Sequence, residues 1–296
     1  MTGLRASLAA AAFLAAALPA AAQQYDHGNP TAAEQLVLEI INRARTDPIA
    51  EGARLKLLYP ADFPSGDITE GLTPSEAALV MVRPPLAFNS ALIAAARAHS
   101  SDMYARDYFS HFTLGSGLSP SQRMTAAGYV FNPPSSSGEN ISSSDPGSPA
   151  YVEDILMIDK NYPGRGHRKN LLHIYSSPTF REIGLGYYDF GLGSSKTNVY
   201  RHVITQDFAR SASSGPYIVG VVYDDLDGDQ FYDIGEGLAG VTITPSAAAA
   251  GRSARLPAAS RSRSRRTGPS PSRPAADRSG AAPSSGTSTS PRRART

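Results

Sequence analysis

Between Asp225 and Glu236 the chain sets acids at regular intervals: Asp225, Asp227 and Asp229, then Asp233 and Glu236. These are positions 1, 3, 5, 9 and 12 of a twelve-residue loop of EF-hand-like spacing, with Phe231 at position 7, where such a loop uses its backbone carbonyl. Calcium takes roughly six to eight oxygens from a flexible loop, and a Glu at the last position can give both of its own. Position 6 is Gln230 where that pattern wants Gly, and Gly228 stands at position 4. An acidic, hydrated turn without metal is the competing reading. Histidine is the other source of chemistry, with six in the chain and no cysteine to accompany them. Thiol nucleophiles and Cys–zinc sites are therefore excluded. Serines lie near histidines, yet no Gly-x-Ser-x-Gly elbow is present, so a serine-hydrolase reading lacks its signature. His27, His173 and His202 have no motif around them.

The elements that must position these groups are legible in part. Leu36, Ile40 and Ile41, with Val37 and Ala44 beside them, recur at helical spacing, and Thr31 with Glu34 forms a capping box in front. Asp47-Pro48 marks a break. Residues 60–75 are rich in Pro, Gly and Asp and read as loop. A second helix starts at Asn89 or Ser90 and continues to about Tyr108. Leu92, Ala95, Ala96, His99 and Met103 share its apolar face, which makes His99 a hydrogen-bonded core histidine. The Gly-, Ser- and Pro-rich stretch 115–149 reads as loop, broken by a helical piece at 122–127, and a helix over 149–161 follows. Strands are expected over 182–189, 200–208 and 217–223. Helices and strands without a βαβ alternation imply an α+β domain, and 211–216 is the best domain border.

A set of ordered segments resembles the CAP superfamily, the cysteine-rich secretory, antigen 5 and pathogenesis-related 1 proteins with their SCP-like bacterial relatives. The segments are EIINRAR (39–45), AHSSDMYARDYFSHF (98–112), SQRMTAAGY (121–129), SGENIS (137–142), PGRGHRKNLL (163–172), FREIGLGYY (180–188) and VITQDFA (203–209). The match covers about residues 31–210, within a domain set at 31–212, and implies an α-β-α sandwich, a sheet between helical layers. It also implies an open cleft holding two His and two acids, here His111, Glu139 and His167. For the fourth member the chain offers Asp159, Glu153 and Asp154; Asp159 is favoured over the other two, and a triad without it is the alternative. Neutral imidazoles with a carboxylate suit zinc or another divalent metal, and open positions would let bound water be activated. Without metal the same groups could do acid–base work, or simply pin loops to the sheet.

Residues 217–245 resemble the first hairpin of calcium-binding, immunoglobulin-like adhesin repeats, with the remaining strands missing. Their place is taken by a tail over 246–296, which holds eleven Arg and one acid, Asp277, for a charge of +10; the remainder, with 17 basic and 25 acidic residues, carries −8. The tail has no aromatic residue and one Leu, so disorder is expected, as an arm for anionic surfaces, a solvated appendage or the product of a shifted reading frame. At the other end, Arg5, the apolar run Leu8 to Leu18 and the small residues Ala20 to Ala22 have the layout of a signal peptide over 1–22. The expectation is a secreted, extracellular or periplasmic protein, not a transmembrane one, without specific nucleic-acid binding. It acts by binding a ligand, a lipid or an envelope partner more than by catalysis. A metal-dependent hydrolase or peptidase and a cell-surface adhesion protein are the rivals.

Overall fold

The computed structural model describes residues 27–241 and 243. The leader over 1–22 and the tail over 246–296 lie outside the described residues. Thr31 caps helix α1 (Ala32–Thr46) with the reciprocal Thr31/Glu34 box, and Asp47 closes it and caps α2 (Pro48–Leu58). After the four-residue α3 (Pro74–Ala77) comes the two-residue β1 (Ala87–Phe88). Asn89 then caps α4 (Ser90–Arg106) by accepting from two backbone amides. There follow α5 (Pro120–Ala126), β2 (Ser136–Ser144), α6 (Pro149–Ile158), α7 (Gly166–Leu172), β3 (Glu182–Asp189) and β4 (His202–Arg210).

One sheet runs in the order β1-β3-β4-β2. β1 pairs parallel to β3; β3 and β2 flank β4 antiparallel. Period-2 alternation divides the strands between two faces. Ile183, Leu185, Ile204 and Phe208 join Val37 and Ile41 of α1, Val152 and Leu156 of α6 and Leu171 of α7 in the main core. The opposite face is lined by Gly184, Gly186, Thr205 and Ala209, and α4 lies directly on it; Leu92 and Ala95 pack with Ala209, while Ser100 Oγ donates to Gly186 O (2.7 Å). Helices thus cover both faces, as the α-β-α expectation required.

Two strands depart from the sequence reading. β2 falls inside the stretch read as loop, since Gly and Ser carry little strand preference. Its nine backbone pairs with β4, from Ser136↔Arg210 to Ser144↔His202, decide the matter, and Ser142 to Ser144 are buried. Conversely, residues 217–223 form no strand: only the bridge Tyr223↔Gly237 closes the acidic loop, with Leu238 N donating to Val222 O at 2.8 Å.

Two buried arginines stitch loops to the core without a carboxylate. Arg45 donates to the carbonyls of Pro84, Leu171 and Phe180, and Arg168 to those of Met157, Ile68, Glu70 and Ile158. A guanidinium out of water keeps its charge only where such acceptors surround it.

At Gly184 the helix α4 comes so near that an added Cβ would stand 2.0 Å from the carbonyl carbon of Leu92. Gly184→Ala should therefore destabilise the protein by about 3 kcal/mol, since backbone cannot yield as a side chain does. Urea unfolding followed by circular dichroism would check this; a loss near zero would mean that α4 is free to lift.

Candidate functional site

The C-terminal end of α4 governs one side of the cleft. Asp107 ends the helix in the left-handed region, and Tyr108 N returns to Met103 O (3.1 Å). His99, buried as its place on the apolar face implied, donates from Nε2 to Ser110 O (2.9 Å). Burial lowers its pKa to about 4, so the ring is neutral at physiological pH and acts as a strut for the turn that presents His111.

His111 Nδ1 donates to Glu139 Oε1 on β2 at 2.8 Å. The other Glu139 oxygen takes a hydrogen bond from the guanidinium of Arg123 on α5. Arg123 also holds the His111 and Leu118 carbonyls, at 2.7 and 3.0 Å, so one side chain ties the strand to the loop. Burial opposes charge on Glu139, yet the His111 hydrogen bond and the Arg123 charge hold its carboxyl below the usual range. Asp207 of β4 stands directly across from Glu139 and is fully buried. Burial first, and then the Glu139 charge, push its pKa well above the ordinary value.

His167 is held separately. Asp159, just past α6, is left-handed; its Oδ1 accepts from His167 Nδ1 (2.7 Å), and its Oδ2 from the amides of His167 and Arg168 (3.0 and 3.3 Å). One carboxylate thereby fixes the ring and satisfies the first turn of α7, which has no cap of its own. The other acids weighed for this place lie elsewhere. Asp154 pairs with Arg54 and accepts from Tyr59 OH, while Glu153 points inward and accepts from Gln206 Nε2. Gln206 in turn accepts from Asn140 (2.9 Å), which also donates to His167 O (3.2 Å). Asn170 then donates to Asn140 Oδ1 and Glu139 O, at 2.8 and 3.1 Å. This buried chain of amides joins the two halves of the cleft.

The metal fit can be judged from these distances. Among the described residues, the one group of three or more candidate ligands with atoms within 4.8 Å of one another is Asp225, Asp227 and Asp229. His111, Glu139 and His167 do not converge to that degree, and both Glu139 oxygens are already engaged. As arranged, these three side chains do not fit a closed zinc site. What the cleft does present is a cavity of about 270 Å³ lined by Phe109, Ser110, His111, Phe112, Ile141 and Tyr162. With Nδ1 of His111 engaged, Nε2 is the ring nitrogen left for a ligand.

In the acidic loop, Gly228 N, Asp229 N and Phe231 N donate to Asp225, Asp227 and Asp229 at 2.8, 3.1 and 2.7 Å. Gln230 takes φ +65°, the left-handed conformation that Gly would supply at position 6. Glu236 is buried and accepts from Leu226 N (2.9 Å) and Asp233 N (2.8 Å). The loop docks on α1: Tyr232 is buried against Leu36 and Ile40, and Arg43 lies 4.4 Å over the Phe231 ring.

The sequence reading passed over Arg123 and Asp207, although both lie inside the quoted segments SQRMTAAGY and VITQDFA. An Arg beside a Gln looks like helix surface, and only the β2–β4 register reveals that Asp207 faces Glu139.

The model of the cysteine-rich secretory protein (CAP) family matches residues 38–208, more than half of the chain, and the protein belongs to that family. It is 35% identical over 107 residues to the uncharacterized protein YkwD of Bacillus subtilis (strain 168), a stretch covering 36% of this chain and 36% of that relative. The chain thus spans about a third of the length of that curated relative. It is also similar to a crystallised extracellular protein containing a SCP domain from Bacillus anthracis str. Ames: 25% identity over 48% of this chain and 40% of that one, with a TM-score of 0.33. Among the described residues no helix is long and apolar enough to cross a membrane.

Burial pushes Glu153 up to about 8 from an ordinary 4.5. The folded state therefore keeps a proton that the unfolded chain releases, and stability falls as pH rises between those two values. Glu153→Gln should flatten that part of the profile and stabilise the protein at the alkaline end by on the order of 1–2 kcal/mol. Denaturation midpoints at pH values near the two ends of the window read this directly; equal shifts at both would contradict it.

Proposed function

We propose that this CAP protein is exported and acts by binding an amphipathic ligand at the His111 cavity, not by turning over a substrate. The observation that carries this reading is the apolar cavity beside His111, whose ring is fixed by Glu139 while Arg123 binds the other Glu139 oxygen. Glu139 is thus committed to orienting His111 and to holding Arg123, while Phe109, Phe112, Ile141 and Tyr162 make the walls apolar. Phe112, one of those walls, is 58% exposed. An acyl chain or ring against these walls, with a polar head on His111 Nε2, satisfies both parts of the cavity. The leader-like N-terminus supports an extracytoplasmic setting.

The test is titration of the mature chain from Gln23 with a fluorescent long-chain fatty acid. Saturable binding is expected, and His111→Ala should weaken it about tenfold, as loss of one hydrogen bond in a dry site does. Absence of uptake by the wild type, or uptake indifferent to both His111→Ala and Phe112→Ser, would defeat the reading.

A second proposal concerns the acidic loop, read as a calcium site of the extracellular class. It is supported by the close Asp225, Asp227 and Asp229 carboxylates, with Asp233, Glu236 and the Phe231 carbonyl as the remaining ligands. Glu236 would exchange its present backbone donors for the ion. Calorimetry should give one site in the range of about 10⁻⁴–10⁻³ M. Calcium should also raise the melting temperature, and Asp227→Asn with Asp229→Asn should abolish both effects. An equal response to magnesium and calcium would mark the loop as merely acidic.

A further inference from the structure

His111 and His167 are not equally reachable. His111 keeps 39% of its side-chain surface exposed, whereas His167 keeps 4%. Asp159 occupies Nδ1 of His167 and lies behind the ring. In front of it stands Tyr162, with ring centroids 4.5 Å apart and planes inclined at 51°. The same Tyr162 is a wall of the His111 cavity. It is therefore the side chain shared between the cavity and His167, with the imidazole on one side and the ligand space on the other.

The segment bearing Tyr162 is unusual. Asp159, Asn161 and Arg165 are left-handed without being Gly, and Gly164 is left-handed as well, at φ between +51° and +75°. Each non-Gly residue so placed costs of order 1 kcal/mol or more. The turn is held by its own contacts: Arg165 Nη1 donates to Asp159 O (2.6 Å) and Arg165 N to Tyr162 O (3.1 Å). Tyr162 remains 38% exposed, so its ring is not locked in the core. Backbone relaxation would favour other conformations of this turn, opposed by the Arg165 hydrogen bonds and by the ring contact with His167.

We propose that Tyr162 is a movable partition that keeps His167 out of the His111 cavity, and that displacing it joins the two histidines in one larger site. This rests on the reading of the His111 cavity as the ligand site, since it assigns that site two sizes. In the closed form a ligand meets His111 alone. In the open form it reaches Nε2 of both rings, each oriented through Nδ1 by its own carboxylate, Glu139 or Asp159. Tyr162 would thus set which ligands enter: slender chains with the partition in place, bulkier or two-headed molecules when it is displaced.

The experiment is carbethoxylation of the mature chain by diethyl pyrocarbonate near neutral pH, with each histidine followed by mass spectrometry. It needs no ligand, so its result is separate from the fate of the fatty-acid titration. In the wild type His111 should react readily and His167 slowly. Tyr162→Ala should speed His167 by about tenfold, the change for a gate worth one decade of population, and Tyr162→Phe should leave it near the wild-type rate. Buried His99 and His173 report the fold. If both become reactive in Tyr162→Ala, Tyr162→Leu is read instead, with the same acceleration of His167 expected. His167 still protected in a folded variant, or as reactive as His111 in the wild type, overturns the partition.

Discussion

The tightest constraint in the molecule is the seating of α4 on bare sheet backbone. Gly184 and Gly186 alternate along β3 on the face that α4 covers, and a methyl group at either would stand 2.0 or 2.4 Å from helix backbone. Only residues without a side chain allow this approach. Through it the far end of α4 is brought level with β2, and the turn carrying His111 falls over Glu139. His99, on the apolar face of the same helix, then fixes that turn by a single hydrogen bond to Ser110 O. The site is therefore a consequence of helix height above the sheet, not of the loop that carries it.

The second half of the cleft follows a different logic. His167 depends on Asp159, and α7 depends on the same carboxylate for its first amides. The amide chain Gln206–Asn140–Asn170 joins this half to Glu139 through a hydrogen-bonded interior. Such networks specify one arrangement, because any shift would strand a buried donor or acceptor. Glu153 of α6 is joined to the same network through Gln206, and its burial opposes the charged form strongly enough to raise its pKa to about 8.

Much of the framework was legible from the chain. The Thr31/Glu34 box, the Asn89 cap and the apolar face through His99 and Met103 are local signals, and local signals survive folding. The motif segments carried His111, Glu139 and His167 to the same end of the sheet. Two kinds of information were not local. β2 is a strand because β4 offers it a partner, which a run of Ser and Gly cannot announce. Arg123 and Asp207 acquire meaning only through the register that faces Asp207 with Glu139 and the helix position that swings Arg123 beneath the cleft. The strand expected at 217–223 is the reverse case: a β-type pattern that, among the described residues, reaches no further than the bridge Tyr223↔Gly237.

The docking of the acidic loop bears on where the cooperative unit ends. Tyr232 covers Leu36 and Ile40 of the first helix, and Tyr217 and Ser214 both donate to the buried carboxylate of Glu182. Chain beyond the last strand thus forms part of the roof over the first helix and part of the lining around the last strands' entry. Cutting after Arg210 would strip apolar surface from a helix that also carries the Glu51 and Arg97 ion pairs, the latter through Glu34. Melting should begin at that uncovered flank. The N-terminal helix and the C-terminal loop, some two hundred residues apart in sequence, are in energetic terms a single edge.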